Sequence, residues 1–159
     1  MNIATFIADK AKKRGKHPAL FYKDISVNQW NSITWAELEA KVSTIARALV
    51  ALEVEEQDNI GVISQNMPQS IITDFAAYAN RAAGVPMFAT LSPSQIAYIL
   101  KDAQIKLLFV GEQPQYDAVL EALKEENCVK RIVVFDESID LRDCSISCRF
   151  SDLFRIGEE

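Results

Sequence analysis

Between Ile33 and Leu100 the apolar positions repeat one unit, a stripe at three- and four-residue spacing followed by a short unbroken apolar run. The stripe is the mark of a helix with one buried face, and the run that of a strand buried on both sides. The first stripe is Trp35, Leu38, Val42, Ile45, Leu49 and Leu52, opened by Thr34 with Glu37 three residues on, a capping box. Asn59–Ile63 then reads as a strand. Pro68 stands in the first turn of the next helix, where its missing N–H is harmless. That helix turns Ile72, Phe75, Ala76, Ala79 and Ala83 inward, ends at Gly84 in a left-handed cap, and leads into a strand over Val85–Phe88. Ser92, Pro93 and Gln95 open a third helix with Ile96, Leu100 and Ala103 on its inner face.

The same alternation continues with a strand over Lys106–Val110, a helix over Pro114–Glu126 and a strand over Arg131–Phe135. Before the repeat, Ile3–Arg14 reads as a helix closed by Gly15, Ala19–Tyr22 as a short strand, and Lys23–Ser32 as a hairpin. From Asp136 onward the chain is polar and irregular, apart from a turn of helix around Leu153 and Phe154. Helices alternating with short strands predict an α/β fold, with a mostly parallel sheet and helices on both faces. The expected organisation is a single incomplete domain over 1–159. Within it, 1–32 is a peripheral helix and hairpin, 33–135 holds the repeated units, and 136–159 is an irregular tail.

Composition narrows the function. The chain has 159 residues, 49% of them hydrophobic, enough for one sizeable core, and its net charge of −5 argues against a nucleic-acid partner. The one basic cluster is Lys10, Lys12, Lys13, Arg14 and Lys16. Cations at a helix C-terminus face its negative end, which accounts for them. With Ile3, Phe6 and Ile7 on the preceding turns they also offer a peripheral membrane contact. Cys128, Cys144 and Cys148, an odd number with no hydrophobic leader segment, fit reduced thiols in the cytoplasm. Cys144 and Cys148 would face each other on a helix, but with only His17 to join them no metal site is expected.

Catalytic groups are not recognisable. The nearest two of the five glycines, Gly61 and Gly84, are 23 positions apart, so no glycine-rich loop can cradle a phosphate. Glu53, Glu55, Glu56 and Asp58, like Glu125, Glu126, Asp136 and Glu137, read as solvated loop charges, and Asp74 and Asp102 as the exposed sides of helices. Asn66 lies between a strand's carboxyl end and a helix start, where open α/β sheets gather their ligands, and Thr90 follows the next strand in the same way. Asn66 reads first as the cap of its own helix and only then as a ligand contact, and Thr90 carries the same two readings. These two are the ligand-edge candidates, and no catalytic, cofactor-binding or metal-binding residue is assigned.

Several stretches carry a resemblance. Ile33-Thr34-Trp35-Ala36-Glu37-Leu38, Ala46-Arg47-Ala48-Leu49, Ile60 to Asn66, Ala83-Gly84-Val85-Pro86-Met87 and Ser94 to Ala103 together resemble the N-terminal region of the adenylate-forming enzymes. Trp30 to Thr34 and Leu107 to Gln113 are most similar to the long-chain fatty acid CoA ligases. The resemblance implies a partial N-terminal domain of that fold. It also implies a parent enzyme that uses ATP and magnesium to turn a fatty acid into an acyl-adenylate, then transfers the acyl group to coenzyme A. The family's phosphate-gripping loop and later motifs follow this region, so the chain alone is expected to bind no cofactor and to be inactive. Glu53 and Gln57 stand where the family usually has loop glycines, and Ser70 where a tryptophan is common. Expected partners are the missing remainder of the parent and, for the parent, a fatty acid; the expected location is cytoplasmic or membrane-peripheral. Apolar surface left uncovered would drive a dimer or higher self-association. The alternative is a self-sufficient, non-catalytic α/β binding or interaction module.

Overall fold

A computed structural model describes residue 3 and residues 5–24 and 27–158. Helix α1 (Phe6–Arg14) leads into an antiparallel ribbon of β1 (Pro18–Asp24) and β2 (Gln29–Thr34). The expected hairpin therefore begins earlier than Lys23, because Ala19–Tyr22 is its first arm. Its residues Ile25 and Ser26 lie outside the described residues, as do Ala4 of the first expected helix and Glu159 of the tail.

The main body is α2 (Trp35–Ala51), β3 (Asn59–Ile63), α3 (Pro68–Ala79), β4 (Ala83–Met87), α4 (Pro93–Asp102), β5 (Leu107–Val110), α5 (Gln113–Ala122) and β6 (Arg131–Val134). The capping boxes read at Thr34 and Ser92 are both formed: Glu37 N–H donates to Thr34 Oγ1 at 3.3 Å and Gln95 N–H to Ser92 Oγ at 3.4 Å. With β7 (Ser147–Arg149), a five-stranded, all-parallel sheet in the order β4-β3-β5-β6-β7 forms the centre. Successive strand residues go to opposite cores. Leu107 and Phe109 join Ile60 and Val62 under α2 and α3, while Leu108 and Val110 join Ile63 under α4 and α5. Burial on both faces is why these strands read as apolar runs rather than as alternation.

Several expectations are corrected. Segment 136–159 is not an irregular tail: it holds β7 (Ser147–Arg149) and α6 (Phe150–Glu158). Helix α6 starts directly from the strand, where Asp152 accepts from Arg149 N–H at 2.9 Å, and it packs Phe150, Leu153 and Gly157 inward. Its seat is α2. A Cβ on Gly157 would lie 2.1 Å from the Thr44 carbonyl oxygen, and Arg47 Nε donates to the Gly157 carbonyl at 2.7 Å. With Cys148 on β7 and Cys144 in a turn before it, the two thiols share no helix.

Gly84 is likewise no helix cap, since no described glycine has a positive φ and Gly84 lies inside β4. Ala83 begins that strand, and Ala79 is exposed rather than inward. Helix α3 stops instead at Arg81, with φ 59°. There Arg81 N–H donates to the Tyr78 carbonyl at 3.1 Å and Ala82 N–H to Ala77 at 3.0 Å. This paired closure, a Schellman motif, normally takes glycine at the left-handed position. Glu53 (φ 61°) closes α2 by the same pattern, through Glu53 N–H to Val50 and Val54 N–H to Leu49. Gln104 (φ 52°) closes α4 through Gln104 N–H to Lys101 and Ile105 N–H to Leu100.

Candidate functional site

The carboxyl edge of the sheet is where the loops preceding α3 and α4 begin. Chain order and strand order part company at β3 and β5: from β3 the chain goes first to β4 on one side and then to β5 on the other. In open α/β sheets that switch point is the usual ligand crevice. Here Gly111 N–H donates to the Ile63 carbonyl at 2.9 Å, and a Cβ on Gly111 would stand 2.6 Å from Ser64 Cβ. Asp136 N–H continues the zipper onto the Gly111 carbonyl at 3.1 Å. Glycine is needed at 111 for this close approach to Ser64.

Asn66 follows β3 and Thr90 follows β4 at this edge, and both are exposed. Asn66 does not cap α3, whose N-cap position is Met67, with no side-chain cap bond. The loop before α3 is held instead by Ser64, whose Oγ donates to the Gln65 carbonyl at 2.6 Å and meets Ser70 Oγ at 2.7 Å. The Thr90 loop is pinned from below by buried Gln115, whose Nε2 donates to the Ala89 carbonyl at 3.3 Å. Sequence reasoning passed over Gln115. Its one signal was its place three residues after Glu112, where its Oε1 accepts from Glu112 N–H at 2.9 Å.

Two surface hollows lie elsewhere. One, of about 570 Å³, lies between α4 and α5 and is crossed by the Lys101–Glu126 ion pair at 2.7 Å. The other, of about 710 Å³, opens at the amino ends of the strands, opposite the ligand edge. It balances Glu53, Glu55 and Asp58 against Lys106, Lys130 and Arg131. Asp58 is more than a solvated loop charge, for Lys106 Nζ donates to it at 2.8 Å and Glu55 N–H at 2.9 Å. Those bonds, Lys106 first, hold its carboxyl below the usual range.

Asp74 departs from its expected exposed place. It is half-buried beside Gly84 and Tyr78, and burial pushes its carboxyl up. Asp102 is exposed, as its sequence position implied. Among the described residues no three His, Cys, Asp or Glu side chains gather as a metal site, and no helix is long and apolar enough to cross a membrane.

Residues 7–150 match the family of AMP-binding enzymes. A probable CoA ligase, CCL6 of Humulus lupulus, is 28% identical over 136 residues, covering 82% of this chain and 20% of its own. Long-chain-fatty-acid–CoA ligase 6 of Mus musculus is 28% identical over 140 residues, covering 84% and 20%. The chain thus spans about a fifth of the length of these curated relatives. The crystal structure of the anthranilate CoA ligase AuaEII in complex with anthranoyl-AMP superposes with a TM-score of 0.80 at 19% identity, over 98% of this chain and 28% of that one. At that identity the superposition speaks for the fold, and the family rests on the match over residues 7–150: the chain belongs to the AMP-binding enzymes.

Proposed function

We propose that the chain is the N-terminal scaffold of an acid–thiol ligase acting on long-chain fatty acids. In this reading the whole enzyme condenses the fatty acid carboxylate with ATP, releasing pyrophosphate, and coenzyme A thiolate then displaces AMP from the acyl-adenylate. Pyrophosphate departure turns an unreactive carboxylate into an anhydride that a thiol can attack. The family match over residues 7–150 carries the ligase part. The wide spacing of the glycines supports the scaffold part, because a loop that cradles ATP phosphates needs them clustered; in this reading ATP, magnesium and coenzyme A fall to other sequence. The choice of a long-chain acid leans on the Trp30–Thr34 and Leu107–Gln113 stretches and on the mouse relative's name. Three free thiols suit a reducing cytoplasm, which is part of the proposal.

The test is ATP–pyrophosphate exchange with palmitate. The 159-residue chain is expected to catalyse none, and measurable exchange would overturn the scaffold reading. The native reading frame is expected to run past Glu159 into a Ser/Thr/Gly-rich stretch; a stop codon there would favour the self-sufficient, non-catalytic module. On the scaffold reading the isolated chain also self-associates, as a dimer or larger. Sedimentation as a clean monomer counts against that.

A further inference from the structure

The ribbon of β1 and β2 covers the core with one face and leaves the other open. Leu20, Tyr22 and Ile33 point into the main cluster. The register pairs Phe21 with Ser32 and Lys23 with Trp30, which puts these four on the opposite face. Phe21 is 68% and Trp30 67% exposed, and Val27 at the turn is 63% exposed. Two large rings so placed on a two-stranded ribbon, with a lysine between them, bury nothing within the fold.

Charge divides the chain at the same place. Residues 1–34 carry Lys10, Lys12, Lys13, Arg14, Lys16 and Lys23 against Asp9 and Asp24, six minus two, or +4. The remaining residues carry eleven cations against twenty acids, or −9, which restores the total of −5. The cationic end of α1 abuts the ribbon's base, where Ala36 N–H donates to the Gly15 carbonyl at 3.1 Å and Trp35 N–H to His17 at 3.0 Å. Lys12, Lys13, Arg14, Lys16 and Lys23 are all exposed, and none takes part in the ion pairs formed among the described residues. The apolar side of α1 itself is already used. Ile7 is buried, and Phe6 packs on Trp35 and Phe75.

We infer that the outer ribbon face, with the cationic end of α1, is a docking surface for an anionic lipid surface. Aromatic rings on a short apolar patch sit at headgroup depth, and cations beside them are drawn to lipid phosphates; neither alone holds a protein stably. The −9 remainder is repelled by the same surface and turns the ribbon toward it. A folded protein partner would ask for roughly 800 Å² of complementary area on this side. A face of four side chains offers no such area, whereas a bilayer needs no matching shape.

The test is co-sedimentation of the chain with vesicles at low salt, alongside tryptophan emission. Partition to phosphatidylcholine vesicles containing phosphatidylglycerol, but not to phosphatidylcholine alone, is expected, with a blue shift that Trp30→Phe removes while half-buried Trp35 remains. Phe21→Ser/Trp30→Ser is expected to weaken partition about tenfold or more. Lys12→Glu/Lys13→Glu/Lys16→Glu is expected to weaken it about fivefold or more per position. The charge variant alters only exposed side chains, so it decides the matter even if the ribbon variant fails a circular-dichroism check of folding. No partition to anionic vesicles, equal partition to both kinds, or indifference to the charge variant overturns the inference. So does the same emission shift with poly-glutamate, which would assign the surface to an acidic protein segment.

Discussion

Replacing Glu53 by glycine should stabilise the protein, although the substitution removes a side chain. Glu53 ends α2 with φ 61°, its own N–H bonded to the Val50 carbonyl at 2.9 Å and the next N–H, of Val54, to Leu49 at 3.0 Å. Holding a residue with a Cβ there costs about 1–2 kcal/mol, from the Cβ pressed toward the following carbonyl. Glycine removes that cost but adds backbone freedom to the unfolded chain, worth about 0.5–1 kcal/mol. The side chain of Glu53 is exposed and forms no hydrogen bond or ion pair among the described residues, so its loss subtracts little.

The balance is a gain of about 0.5–1 kcal/mol for Glu53→Gly, or about 1–4 °C in midpoint for a domain of this size. Arg81→Gly and Gln104→Gly relieve the same geometry at φ 59° and 52° but give up more. Arg81 loses an exposed ion pair to Glu56, and Gln104 a 3.0 Å bond from Nε2 to the Lys101 carbonyl. Their gains should be smaller than that of Glu53→Gly. The assay is urea unfolding at constant slope with calorimetry beside it, and Glu53→Ala is the control because it keeps the Cβ. A Glu53→Gly midpoint at or below that of Glu53→Ala refutes the reasoning.

Gly157→Ala should do the opposite, since its Cβ would fall 2.1 Å from the Thr44 carbonyl oxygen; prying α6 from α2 should cost about 1–3 kcal/mol, read as a lower urea midpoint. Thr73→Val should raise stability by about 1 kcal/mol, because the fully buried Thr73 hydroxyl has no partner and valine keeps its shape; a lowered melting temperature would contradict this. Asp74 supplies a pH signature. Its carboxyl is raised by burial, so its contribution is fully present below the ordinary carboxylate range and is lost as pH rises through its higher folded value. Asp74→Asn should flatten stability across that acidic window and exceed the parent at neutral pH, and an unchanged pH profile would show that the carboxyl is not desolvated.

Much of the fold was legible because its signals are local. Thr34 with Glu37, Pro68, and Ser92 with Gln95 each declare a helix start through side chains that satisfy exposed backbone donors. Helix ends were harder. The chain marks three of them with Glu53, Arg81 and Gln104, where glycine would have been the readable sign, so the stop of α3 was assigned to Gly84, five residues after the helix's last residue. What holds those ends is the buried residue that follows each left-handed position, Ala82 or Ile105, or half-buried Val54; tertiary burial outweighs local strain. Helix α6 was read only as a turn around Leu153 and Phe154, for a related reason. Its anchor is a close approach to Thr44 and Arg47, more than a hundred residues away in sequence, and no local pattern reports it.

The candidate site was half legible for a reason of handedness. Crossovers between parallel strands are right-handed, so a helix lies on one face when the chain moves one way across the sheet and on the other face when it moves back. Moving from β3 out to β4 puts α3 beside α2. Returning from β4 across to β5 puts α4 beside α5 on the other side. Asn66 precedes α3 and Thr90 precedes α4, so these two exposed residues share the carboxyl edge while their loops leave toward opposite faces. Sequence could place each at the edge but could not show that they diverge, nor that Gly111 packs against Ser64 where β5 and β3 end. Which face a loop leaves toward depends on strand order, and strand order is set by pairing between distant segments that no local pattern reports.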